Sequence, residues 1–155
     1  MPLVNLHNSD PFTDGRQSTK ALLVREGVLR GFAETDWVFL PELTLPNGRR
    51  ADLIGLNNKG EIQIIEIKSS ISDFMVDEKW PEYRDFCDTF FFATHKEVPF
   101  EIFPADEGLI LADAYGCEVM RPAASQKLAA ATRKTVINRY ARAAASRLQS
   151  LTDFV

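Results

Sequence analysis

The chain has 155 residues, 45% hydrophobic and 26% charged, a composition ordinary for one soluble globular domain with a sizeable core. No apolar run approaches membrane-spanning length, the start Met-Pro-Leu-Val-Asn-Leu-His lacks the charged and apolar regions of a secretion signal, and two cysteines are too few for a disulfide framework; a cytoplasmic protein is expected. The net charge of −4 hides an asymmetry: residues 1–120 carry 11 Lys and Arg against 21 Asp and Glu, whereas residues 121–150 carry 7 basic residues and no acidic one, which suits a segment facing a polyanion.

Residues 1–17, broken by Asp10-Pro11 and Asp14-Gly15, read as an arm or loop. Ser18 or Thr19 caps a helix from Lys20 to about Ala33, in which Ala21, Leu22, Val28, Leu29 and Phe32 recur at helical spacing as the buried stripe. Glu26 stands at the edge of that stripe, either reaching a site from the helix or remaining a solvated flank carboxylate. Trp37 to Leu45 reads as a strand whose Pro41 marks an edge or a bulge, with Glu42 as a further acidic candidate. Pro46-Asn47-Gly48 then turns the chain, and Arg49 and Arg50 are either phosphate contacts or a solvated turn pair.

Leu53 to Leu56 and Ile62 to Ile67 are short, nearly continuous apolar runs, the pattern of strands buried on both faces. Asp52, Glu66 and Lys68 interrupt this apolar stretch, and burying such groups without partners costs several kcal/mol, on the order of a lost salt bridge. If Asn58-Lys59-Gly60 forms a three-residue loop with Gly60 left-handed, Asn57 pairs with Glu61 and counting back places Asp52 opposite Glu66. Lys68 joins them on the same face, and Gln63 points away. Two carboxylates and an ammonium on one face form a site for a hard divalent cation such as magnesium; the plain alternative is an ion-pair network in the sheet core.

Beyond a polar loop or helix entry over Ser69 to Asp77, Glu78 to Asp88 has helical spacing, with Trp80, Tyr83 and Phe86 or Cys87 on the apolar side and Lys79 and Tyr83 on one face. Thr89 to Thr94 is a short buried strand, and His95 is a lone histidine in the loop that follows. Gly108–Asp113 and Gly116–Arg121 read as a hairpin turned at Ala114-Tyr115 that extends the sheet. About Ser125 to Leu151 is a helix with Val136, Ile137, Tyr140, Ala144 and Leu148 as docking stripe. Arg139 and Arg142 fall opposite that stripe, and Lys134 lies on a flank; an all-basic face favours phosphate binding.

The order α-β-β-β-α-β over residues 18–94, with Asp52 on the second strand and Glu66-Ile67-Lys68 on the third, resembles the α/β core of the PD-(D/E)XK nuclease superfamily, with its mixed central sheet. The 108–121 hairpin and the 125–151 helix extend this core within a single domain, 1–155. Arg50-Ala-Asp-Leu-Ile, Glu66-Ile-Lys-Ser-Ser, Lys79-Trp-Pro-Glu-Tyr83, Cys87-Asp-Thr-Phe-Phe-Phe-Ala93 and Gly108-Leu-Ile-Leu-Ala-Asp113 resemble, more narrowly, the MmcB-like DNA repair proteins of bacteria. The resemblance implies Mg2+ or Mn2+ held by Asp52, Glu66 and the Ile67 carbonyl, Lys68 as catalytic lysine, and Lys79 and Tyr83 as auxiliary site residues. Ala51 stands where the superfamily motif has proline, and Lys79 where related nucleases often have Gln.

The expected function is a metal-dependent DNA repair nuclease that hydrolyses phosphodiester bonds, with Arg49, Arg50, Lys134, Arg139 and Arg142 on DNA. The alternative is a non-catalytic DNA-binding adaptor on a nuclease fold that recruits other repair proteins.

Overall fold

The structure is a computed structural model that describes residues 18–152; the expected N-terminal arm lies outside the described residues. Six strands form one mixed sheet whose spatial order follows the chain: β1 (Val38–Thr44), β2 (Arg50–Leu56), β3 (Ile62–Ile67), β4 (Thr89–Thr94), β5 (Gly108–Asp113) and β6 (Gly116–Arg121). Tight turns make β1–β2, β2–β3 and β5–β6 antiparallel, while longer crossovers make β3–β4 and β4–β5 parallel. Every residue of β3 is buried, because it is central and covered on both faces; that is why its sequence runs Ile-Gln-Ile-Ile-Glu-Ile rather than alternating.

One face packs Leu53, Ile65, Ile67, Phe91, Ala93 and Ile110 under α1 (Thr19–Gly31). Ser18 caps that helix by accepting from the Ala21 amide at 3.1 Å. The helix rests on Ala21, Val24 and Val28, whereas Leu29, expected inside, is 37% exposed. Gly27 sets this orientation: a Cβ there would lie 1.8 Å from the Asp113 carbonyl oxygen, so the glycine lets α1 settle onto the β5–β6 turn and rotates Leu29 outward.

The other face packs Ile54, Ile62, Ile64, Phe90, Phe92 and Leu109. The crossover from β3 to β4 covers it with a short α2 (Ile71–Met75) and a 3-10 helix (Trp80–Phe86), where a continuous helix was expected over Glu78 to Asp88. Pro81 stands in the first turn of the 3-10 segment, and Cys87 leaves it extended, so only about two turns form. What anchors the crossover is aromatic packing on Phe92: Phe74 edge-on at 5.4 Å and Trp80 at 5.0 Å between centroids. Each such pair contributes about 0.5–1.5 kcal/mol beyond its buried area.

The last helix, α3 (Ala130–Thr152), starts five residues later than expected. The preceding stretch stays extended because the Gln126 amide donates to the Asp88 carbonyl at 2.9 Å and its side chain to that of Cys87 at 3.0 Å. α3 docks through buried Val136 and partly buried Ile137, Tyr140 and Ala143, while Leu148 is 60% exposed; Arg147 takes the inward place by donating to the Glu42 carbonyl at 2.9 Å.

Asp88 ties α3 to the sheet. Its carboxylate accepts from both terminal nitrogens of Arg133 at 2.7 Å and from the Ile62 amide at 2.7 Å. Burial alone would raise this carboxyl, but Arg133 and the Ile62 amide outweigh it and hold it below the ordinary carboxylate range. A depressed folded value means the contribution is present above the unfolded pKa and is lost as pH falls through the folded one. Asp88→Ala is expected to cost about 2–4 kcal/mol in urea unfolding near neutral pH, less than a fully buried pair because Arg133 is partly exposed.

Candidate functional site

The β2–β3 hairpin turns as the sequence suggests. Gly60 is left-handed at φ 77°, the Asn57 amide donates to the Glu61 carbonyl at 3.3 Å, and Leu53 pairs with Ile65. Past that pair the backbone ladder stops and side chains replace it. The Ile67 amide donates to Asp52 Oδ2 at 2.8 Å, and the Asp52 amide donates to Glu66 Oε1 at 3.0 Å. Because N–H and C=O of one strand residue point the same way, the Ile67 carbonyl faces the same gap. The neighbouring strand is irregular at this level: Glu42 is left-handed at φ 55°, and the β1–β2 register passes over it.

Asp52 and Glu66 thus each keep one carboxylate oxygen beyond these amide bonds, side by side on the face covered by α2, the 3-10 helix and α3. Burial raises both carboxyls: Asp52 to about 6, and Glu66 well above its ordinary value with the Asp52 charge adding to the effect. Lys68, 6% exposed, follows on the same face. Burial works against its ammonium, but a 2.6 Å bond to Asp77 Oδ2 and the Glu66 charge outweigh it and raise its pKa. Among the described residues no group of three or more Asp, Glu, His or Cys side chains could hold a metal. The donor set is two carboxylates and a main-chain carbonyl, which fits a hard cation that keeps most of its waters.

The expected site residues separate into three groups. Asp52, Glu66 and Ile67 meet at the gap, Lys68 follows on the same face with its ammonium on Asp77, and Tyr83 stands behind, its hydroxyl donating to the Arg50 carbonyl at 3.0 Å; burial and the carboxylates raise that hydroxyl's pKa. Lys79 is exposed and does not share a helical face with Tyr83, because it precedes a 3-10 helix rather than lying inside an α-helix. Glu26 is not brought to the gap either. It lies on α1, which covers the opposite face, and accepts from Arg30 at 2.7 Å.

Of the basic candidates, Arg49 binds Glu82 at 2.7 Å, whereas Arg50 pairs across the β1–β2 ladder with Thr44, whose carbonyl lies 3.4 Å from Arg139. Arg142 and Lys134 are exposed. Arg139, Arg142 and Arg147 line a cleft of about 300 Å³ with Glu42 and Thr44 between β1 and α3. A larger cavity, about 600 Å³, lies between α1 and the β5–β6 hairpin, away from the carboxylates. His95 remains a loop residue, its Nε2 2.7 Å from the Ser69 carbonyl.

The sequence gives no direct sign of Asp77, nor of Asp73, whose carboxylate accepts from the Ser69 amide at 3.0 Å. Both sit in a stretch that reads as polar loop or helix entry. The available signal is indirect: a lysine in a strand buried on both faces requires an acid, and these are the acids that follow it.

The family model described as DNA repair protein MmcB-like matches residues 8–154. Among solved structures, the SPO1766 protein of unknown function from Silicibacter pomeroyi is similar, at 43% identity over 88% of this chain and 94% of that chain, with a TM-score of 0.84. No curated protein matches.

Charging Asp52 costs more in the fold than in the unfolded chain, since its folded value of about 6 lies above the ordinary 3.8. The penalty is absent below the unfolded value and complete once pH has risen through the folded one. Asp52→Asn removes it while keeping an oxygen for the Ile67 amide. In thermal denaturation the variant is expected to melt roughly 3 °C or more above wild type at about pH 8, with the gain vanishing toward about pH 4.

Proposed function

The chain belongs to the MmcB-like DNA repair protein family, and from that premise we propose that it is a divalent-metal-dependent nuclease that hydrolyses DNA phosphodiester bonds on a PD-(D/E)XK-type core. The observation that carries this reading is the convergence of Asp52 and Glu66 at the β2–β3 gap, where the backbone ladder is given up for two acids with raised pKa values. Two adjacent buried carboxylates are a poor way to stabilise a fold and a good way to bind a cation.

In this reading Asp52, Glu66 and the Ile67 carbonyl hold Mg2+ or Mn2+. The bound ion supplies Lewis acidity toward a phosphoryl oxygen and makes water a stronger acid. Lys68 stays charged and offers its ammonium to the charge that develops on the phosphate. Tyr83 holds the Arg50 carbonyl and with it the end of β2 from which Asp52 projects. Arg50, Arg139 and Arg142 support contact with the DNA backbone along the β1–α3 side, where affinity is salt-sensitive and largely independent of sequence.

The test is cleavage of a labelled branched DNA in magnesium, with binding measured in parallel. Glu66→Ala and Lys68→Ala are each expected to lower cleavage by about 100-fold or more while DNA affinity stays close to wild type. Joint replacement of Arg139 and Arg142 by Ala is expected to reduce the slope of log affinity against log salt by about 2. DNA binding with no cleavage in any divalent metal would contradict the nuclease reading and favour the repair adaptor.

A further inference from the structure

We propose that Asp77 is a positioning residue: as the counter-ion of Lys68 it keeps the ammonium out of the gap and leaves Asp52 and Glu66 open to a divalent cation. The inference rests on the metal reading proposed above and adds to it a residue outside the Asp-Glu-Lys pattern. Lys68 follows Glu66 on the same strand face, and both carboxylates feel its charge. An unopposed ammonium at that distance has two options. It closes on Glu66 or Asp52 and fills the gap as a simple ion pair, or it stays apart and repels an incoming cation. Both weaken metal binding.

Asp77 removes the dilemma. Its Oδ2 takes Lys68 Nζ at 2.6 Å, with side-chain exposures of 8% for Lys68 and 18% for Asp77, so the pair is shielded from water and salt. Oδ1 accepts from the Lys79 amide at 3.0 Å, which orients the carboxylate. The segment that carries it is otherwise lightly held, with Met75 65% and Val76 79% exposed. Phe74 and Trp80 flank Asp77 in sequence, and both pack on Phe92, so the two aromatic anchors fix the carboxylate over the sheet. Neutralising Lys68 from outside the gap keeps its ammonium in place and leaves the negative charge of the gap for a metal.

The test is calorimetric titration with MnCl2, without DNA, of wild type, Asp77→Asn, Asp77→Glu, Lys68→Met and the Asp77→Asn/Lys68→Met double variant. Asp77→Asn retains an oxygen for the Lys79 amide and removes the charge and the second acceptor that hold Lys68. It is expected to bind manganese on the order of tenfold more weakly than wild type. Asp77→Glu is expected to restore most of the affinity. The double variant is expected to bind as tightly as Lys68→Met, because without the ammonium there is nothing for Asp77 to hold back.

Wild-type affinity in Asp77→Asn, or a double variant as weak as Asp77→Asn, overturns the inference and leaves the metal reading standing. Absence of manganese binding by folded wild type overturns both.

Discussion

The structure depends on a place where the sheet stops being a sheet. Between β2 and β3 the main-chain ladder ends at Leu53 and Ile65, and the Asp52 and Glu66 carboxylates accept the amides that follow. Side-chain bonds of this kind satisfy the backbone donors but cost the desolvation of two charges, seen in the raised values of both acids. The rest of the molecule offsets that cost. β3 is buried throughout, Ile64 and Ile65 are fully enclosed from opposite sides, and Phe92 on β4 gathers the aromatic side chains of the crossover. At about 1.5–3 kcal/mol for each large apolar side chain buried, the strands around the gap can carry two strained acids.

The same economy governs the basic C-terminal segment. A segment, residues 121–150, with seven basic residues and no acid suggests a surface turned toward phosphate, and part of it is committed elsewhere. Arg133 is held by Asp88 and the Gly60 carbonyl, and Arg147 by the Glu42 carbonyl, while Tyr140 reaches the Val38 carbonyl at 2.7 Å. Arg147 and Tyr140 occupy carbonyls of β1 that an edge strand would otherwise present to solvent or to another chain. Arg142, exposed, lines the cleft between β1 and α3, and Lys134 is exposed as well. Composition marks the segment as basic; only the docking of α3 divides its cations between the fold and the surface.

Much of the site is legible in the sequence because local chemistry sets it. Asn58-Lys59-Gly60 specifies one loop geometry, the loop specifies the register, and the register places Asp52 and Glu66 on a shared face. What escapes is set by tertiary contact. The spacing around Trp80 and Tyr83 fits an α-helix, yet Pro81 and the pull of the Phe92 ring leave a 3-10 segment, which separates Lys79 from Tyr83. Glu26 has suitable chemistry but rides on the helix over the wrong face, a fact that follows from strand parity once α1 is known to cover Leu53, Ile65 and Ile67. Asp77 has no periodic signature at all, and its position depends on two aromatic anchors whose partner is a strand away.

The central claim is that the gap between Asp52 and Glu66 is built for a divalent cation, and a crystal soaked in manganese tests it most directly. The account predicts an anomalous difference peak in contact with both carboxylates and the Ile67 carbonyl, with Lys68 still turned to Asp77. A Lys68 ammonium lodged between the two carboxylates with no anomalous peak there would contradict it.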